Sequence, residues 1–233
     1  MSPRREPRPE PIPSDPLEWR PQVPLLTRRA PTITDPIVEP LWTGTRTLLH
    51  FAVGPEGAPP RVELIDSDGN DVTAREPELA EVIGRSVLAM DAVIDGILTV
   101  QATRSGEGAA IIHQASMSRT TFFMPRDAGI DVERQDIYPD QVLAFVALDL
   151  LQIDGQRLFE LPLLERKRIL ESLIQPSDQV RVSPFTRPPV EPWVASWKGA
   201  GFKGAMLKAA NGRYVPGGYA PDWLTVTRLQ MRR

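Results

Sequence analysis

Four lysines, two histidines and no cysteine bound the chemistry open to this chain of 233 residues. Without cysteine there are no disulfides, thiolate zinc sites or cysteine nucleophiles, and His50 and His113 alone can supply imidazole, which argues against a zinc site or a serine triad. Lys167, Lys198, Lys203 and Lys208 are the side-chain amines available as nucleophiles, because arginine, which makes up the rest of the basic residues, stays protonated. The most telling run is Glu39-Pro40-Leu41-Trp42-Thr43-Gly44-Thr45-Arg46, where a carboxylate and a guanidinium flank an aromatic ring and a turn glycine. By itself it reads equally as a strand leading into a turn.

The composition, 41% hydrophobic and 24% charged, is that of a globular protein with core enough for one large domain or two small ones. A formal net charge of −3 gives no support for a surface that grips a phosphate backbone, since that affinity comes from clustered Lys and Arg. No apolar run approaches a membrane span, and the first thirty residues lack a signal-peptide core, so a cytoplasmic location is expected.

The elements that must position these residues follow from periodicity and turn chemistry. Residues 1–31 carry nine prolines and six arginines without apolar periodicity and are expected to form an extended leader, with Leu25 and Leu26 tucked onto a domain spanning 32–233. From Ile37 to Val53 the pattern is strand, turn at Gly44-Thr45, strand, on which His50 reads as a packed side chain rather than a base. Arg61–Leu64 forms a strand closed by the turn types Asp66-Ser67-Asp68-Gly69, and an amphipathic helix opens at Pro77 and runs to about Leu88. Another strand covers Asp91–Thr103, with Asp95-Gly96 as a bulge or turn within it. Nothing functional is read from residues 104–138, which include His113 and Phe122-Phe123. Leu143–Ile153 is a buried strand, Asp154-Gly155 a turn, and Leu161-Pro162 opens a second amphipathic helix. Val180–Ser183 is a short strand, and Trp193–Gly199 a short helix ahead of a glycine-containing loop.

Taken in order, these segments resemble the adenylation domain of ATP-dependent DNA ligases. Glu39, Trp42, Gly44 and Arg46 fall on that family's motif Glu-x-Lys-Trp-Asp-Gly-x-Arg, with Leu41 at the lysine and Thr43 at the aspartate. Gly69, Asp71 and Thr73 followed by Pro77-Glu78-Leu79 match a second segment, although Ser67 stands where an arginine is expected. Asp95-Gly96 is similar to the family's Leu-Asp-Gly-Glu strand, with Ile97 at the glutamate. The most specific match is Leu148-Asp149-Leu150-Leu151-Gln152-Ile153-Asp154-Gly155, then Pro162-Leu163 and Arg166, with Leu148 replacing the aromatic residue that stacks on adenine. Gly201–Lys208 resembles Glu-Gly-x-x-x-Lys, keeping Lys208 but placing Lys203 at the metal-binding glutamate. Tyr214, Pro216, Gly217 and Trp223 lead to a final motif, Lys-x-Lys in the family, where Thr225 and Thr227 stand.

The resemblance spans Pro24–Arg228 and implies an α/β (α+β) fold: two twisted, mainly antiparallel sheets with flanking helices, an ATP-grasp-like nucleotidyltransferase domain with its nucleotide cleft between the sheets. Only six residues follow Thr227, so no oligonucleotide-binding-fold domain is expected. Leucine has no lone pair, and the changes at Leu41, Thr43, Ile97, Lys203, Thr225 and Thr227 fall on acting residues, which implies an inactive pseudo-ligase with no catalytic residue and no metal. Glu39, Arg46, Leu148 and Lys208 then remain as vestigial nucleotide-binding positions, with Asp149, Asp154 and Gly155 structural. The leading reading is a binding or scaffold module for a protein partner in DNA repair, using an apolar former cleft. The alternatives are an active ATP-dependent ligase, and a weak, metal-independent binder of ATP or AMP; magnesium is not expected, and DNA enters as a ligand only by family analogy.

Overall fold

The computed structural model describes residues 12–27, 33–100, 142–190, 193, 196–198 and 202–226. Its strands are β1 (Val23–Thr27), β2 (Pro36–Pro40), β3 (Thr45–Ala52), β4 (Arg61–Asp66), β5 (Asp91–Thr99), β6 (Ala144–Ile153), β7 (Gln156–Arg157), β8 (Val180–Val182), β9 (Ala205–Ala209) and β10 (Tyr219–Val226). Helix α1 (Pro77–Ser86) precedes β5, and α2 (Leu163–Leu173) lies between β7 and β8. One sheet has the order β1-β10-β9-β2, and the other β4-β3-β5-β6-β7 with β8 beside β6. Pairing is antiparallel except for β1 with β10 and β8 with β6. This is the α/β architecture of two mainly antiparallel sheets that the sequence implies.

Strands β3, β5 and β6 form the centre of the larger sheet and are buried on both faces, which explains why Ala144–Leu151 reads as an almost unbroken apolar run. One face carries Leu49, Ile94, Phe145 and Leu150 against Leu79 and Ile83 of α1 and Leu170 and Leu173 of α2. Leu79 and Ile83 lie one turn apart, and Pro77 opens α1 where a missing N–H costs nothing. The other face carries Leu48, Val93, Ile97, Val146 and Leu148 against Met206 and Trp223 of the smaller sheet. Any functional cleft between the sheets must occupy this second layer.

The run from Ile37 to Val53 does not stay within one sheet. Strand β2 pairs with β9 and β3 with β5, so Leu41–Gly44 crosses from sheet to sheet. Gly44 makes the crossing with φ +143°, and a Cβ there would lie 1.9 Å from the Leu98 carbonyl oxygen. Asp154 (φ 47°) and Gly155 (φ 76°) turn β6 into β7 as the sequence anticipates. The β5–β6 register slips opposite Asp95 and Gly96, but the residue left over is Leu148, with Leu151 at a second slip opposite Val93 and Ile94, so the irregularity expected at Asp95-Gly96 lies in β6 rather than in β5.

The proline-rich lead-in is less detached than its composition implies. Trp19 is buried against Phe159, its indole N–H donates to the Pro13 carbonyl (2.9 Å), and Val23–Thr27 adds an edge strand to the smaller sheet. An edge position tolerates Pro24, whose missing N–H would break a central ladder. The side chains of Leu25 and Leu26, residues 104–138 and most of Trp193–Gly199 lie outside the described residues. No described helix is long and apolar enough to cross a membrane.

Candidate functional site

The layer between the sheets divides into an apolar and an ionic half. Leu41, at the position where the resemblance puts a lysine, is 2% exposed, and Ile97 and Leu148 are each 1% exposed in the same cluster as Trp42, Phe202 and Met206. Trp42 meets Phe202 edge to face at 4.8 Å and donates its indole N–H to Ser183 Oγ at 2.9 Å. The Leu41 backbone N–H donates to the Gly204 carbonyl (3.0 Å), tying the crossing to the start of β9. Fully burying an aliphatic side chain of this size contributes about 1.5–3 kcal/mol, so these positions stabilise the layer they fill.

The resemblance implies an apolar former cleft open to a partner at these positions, and the structure closes it. Leu41, Ile97, Leu148, Thr43 and Thr225 are all buried, the leucines and isoleucine as members of one apolar cluster with Trp42, Phe202 and Trp223. Lys203 is exposed, and Thr227 lies outside the described residues.

The ionic half is built from three carboxylates. Glu39, fully buried on β2, receives Lys167 Nζ at 2.8 Å and Lys208 Nζ at 3.3 Å from each oxygen. Asp95 on β5 takes Arg46 in a two-pronged pair, and its Oδ2 accepts from the Tyr214 hydroxyl at 2.6 Å. Asp149 on β6 accepts from Arg166 Nε and Nη2 at 2.8 and 2.9 Å. Arg166 also donates to the Gly212 carbonyl (3.1 Å), which closes the β9–β10 loop against α2. Trp223 unites the pairs, with Lys208 Nζ 4.3 Å and Arg46 Cζ 5.1 Å from its ring.

Ionisation follows from burial and these partners. Burial pushes the Lys208 amine down to about 8, against the opposing pull of Glu39. Burial alone would raise the Asp149 carboxyl, but Arg166, Lys208 and Lys167 outweigh it and hold it below the usual range. Burial, reinforced by Asp95, raises the Tyr214 hydroxyl well above 10, so it remains a donor. His50 is packed, as its strand position implies, and burial pushes it down to about 4, away from the range of a base at neutral pH.

Thus Glu39, Arg46, Leu148 and Lys208 are brought into one layer, each already engaged by the protein's own side chains. Sequence reasoning missed Lys167 as a partner of Glu39. The signal lay in α2, whose buried stripe Leu163, Arg166, Lys167, Leu170 and Leu173 carries two cations that need carboxylates opposite. Among the described residues no group of three or more acidic or histidine side chains could hold a metal ion.

The fold and this inter-sheet layer define an α/β domain of the ligase nucleotidyltransferase kind. The chain belongs to the ATP dependent DNA ligase domain family, whose model matches residues 30–226. It is 30% identical over 196 residues to a DNA ligase of Methanothrix thermoacetophila, covering 82% of this chain and 32% of that protein. It is 29% identical over 174 residues to DNA ligase 2 of Methanosarcina acetivorans, covering 70% of this chain and 28% of the other. The chain therefore spans about a third of the length of these curated relatives. Among solved structures, a mycobacterial DNA ligase D complexed with ATP and MES superposes with a TM-score of 0.64 at 21% identity, covering 91% of this chain and 61% of that one. The ligase domain of M. tuberculosis LigD superposes with a TM-score of 0.59 at 22% identity, covering 91% and 60%. At these identities the superpositions establish the fold alone.

Proposed function

We propose that this chain is a ligase-family adenylation domain that forms no lysyl-AMP and works as a binding module for a protein partner, in a DNA-repair setting that rests on family likeness. The burial of Leu41 carries the reading. At the position where the family's amine attacks the α-phosphorus of ATP stands an alkyl group, 2% exposed and packed among Ile97, Leu148 and Met206. The residues present do not fit a nucleotide with its metal. Glu39 is held by two lysines, Ile97 and Lys203 stand where carboxylates would be, and Thr225 replaces a phosphate-facing cation. A transition state needs a positioned nucleophile and free charge-stabilising groups together, and in this layer no amine stands at Leu41 while Lys167 and Lys208 are held by Glu39, Arg46 by Asp95 and Arg166 by Asp149.

Because Leu41, Thr43, Ile97, Leu148 and Thr225 are interior, the partner's surface lies elsewhere, and Leu41→Asp would probe folding rather than an interface. The reading is tested with ATP labelled at the α-phosphate in the presence of magnesium. No label should remain on the denatured protein. Stoichiometric label, lost on replacing one of the four lysines, would overturn it.

A further inference from the structure

The lead-in is joined to the rest of its domain by a connection that is short for what it must span. Strands β1 and β2 run parallel at opposite edges of the smaller sheet, with β10 and β9 between them. The register sets Thr27 level with Val226, Ala205 and Pro40 in turn, whereas β2 begins four residues earlier, at Pro36. Strand spacing and rise then require about 14 Å across the sheet and about 13 Å back along it, clear of the intervening strands. Residues 28–35, eight in all, make this connection, where parallel strands ordinarily take a dozen or more. It ends on Asp35 at φ 48°, a left-handed conformation that glycine alone takes freely. The Asp35 carbonyl accepts from the Ala210 N–H (3.0 Å), and its carboxylate pairs with Arg187 (3.1 Å).

The contacts that hold the lead-in are made much further along the chain. Trp19 meets Phe159 edge to face at 4.7 Å with the Arg157 guanidinium 5.2 Å from its ring, and Arg157 donates to the Ser14 carbonyl (2.7 Å). The Gln22 N–H donates to the Tyr214 hydroxyl, and its Oε1 accepts from the Val215 N–H, each at 2.8 Å. The Val23 N–H donates to the Gly218 carbonyl (2.9 Å), and the Gly217 N–H to the Arg20 carbonyl (2.8 Å). None of these partners lies on β2 or on the connection, so the same lead-in from another molecule would make the same contacts. Because β1 is an edge strand, its departure leaves the β10–β9–β2 ladders whole.

We propose that two copies of this chain exchange their lead-ins, Trp19, Gln22 and β1 of each docking on Phe159, Tyr214 and β10 of the other. Exchange keeps every one of these contacts and lets the short connection run between molecules, the condition under which a strained hinge favours swapping. Each copy then completes the other's ionic layer, because Gln22 meets the Tyr214 hydroxyl that donates to Asp95. The closed, single-molecule form competes through the high effective concentration of its own lead-in, so exchange grows with protein concentration. The inference stands whether or not the domain adenylates.

The chain has no cysteine, so introduced thiols report the pairing alone. Val23 and Tyr219 are register partners, the first half-buried and the second exposed. Chains carrying Val23→Cys are mixed with size-tagged chains carrying Tyr219→Cys, unfolded together in urea, refolded over a range of concentrations and oxidised. A disulfide joining the two different chains should form, and its share should rise with concentration. Its yield should be about ten times that obtained when Leu88→Cys, exposed beyond the end of α1, replaces Tyr219→Cys. Four Gly-Ser residues inserted after Ala30 in both chains should lower the yield about tenfold, since a longer connection lets each lead-in reach its own sheet. A yield no greater than with Leu88→Cys, or one unchanged by the insertion, overturns the proposal.

Discussion

Leu41 and Lys208 stand on neighbouring segments of one sheet and face the same layer, yet they solve opposite problems. Around Leu41 the layer closes with alkyl and aromatic groups that need only contact, and Ile97, Leu148, Met206 and Phe202 provide it. Around Lys208 every cation needs a carboxylate, and Glu39, Asp95 and Asp149 are each spent on partners within the chain. Apolar filling is tolerant of change provided volume is kept, whereas a buried ion network is exposed to the loss of any single member. The two halves should therefore fail differently.

The largest effect belongs to Glu39. Glu39→Ala leaves Lys167 and Lys208 buried without their carboxylate and should cost about 3–5 kcal/mol in urea unfolding. Lys208→Met should cost less than about 1.5 kcal/mol, because Lys167 still neutralises Glu39 and the methionine keeps most of the volume. Equal losses in the two variants would break the claim that Glu39 is shared. In the apolar half, Leu41→Ala should cost about 2–5 kcal/mol by leaving a cavity. A loss under 1 kcal/mol would mean that the position is not packed as described.

A smaller, graded effect comes from His50, outside both halves. Its folded pKa of about 4 lies below the unfolded value of 6.5, so the fold favours the neutral ring. The contribution is fully present above about pH 6.5 and is lost at about 1.4 kcal/mol per pH unit as pH falls toward 4. In His50→Gln the acid limb of the stability profile should flatten by that slope, and an unchanged limb would remove His50 from the account.

Much of this was legible in the sequence, and the reasons differ by region. Alternation, turn glycines and Pro77 located the strands and α1 because local chemistry decides them. The run Leu143–Gly155 and the helix after Pro162 were likewise clear. The replaced positions Leu41, Ile97 and Leu148 could be read against a motif, but whether they faced solvent or one another depends on how the sheets close. Strand β1 was hidden because proline content argues for an extended segment and is silent on its pairing. The partners of Arg46, Arg166 and Lys167 were hidden because Asp95 is 49 residues from Arg46, and Glu39 and Lys167 come from different layers. A buried charge announces that it needs a partner without saying which.

The central claim is that the protein's own side chains occupy the layer where the family's nucleotide would lie. Calorimetric titration of the purified chain with ATP and with AMP, each in magnesium and in chelator, tests it most directly. The account predicts no saturable heat at millimolar nucleotide under either condition. Saturable binding that Leu41→Trp abolishes in a folded variant would show that the layer opens to admit a nucleotide, and would contradict the account.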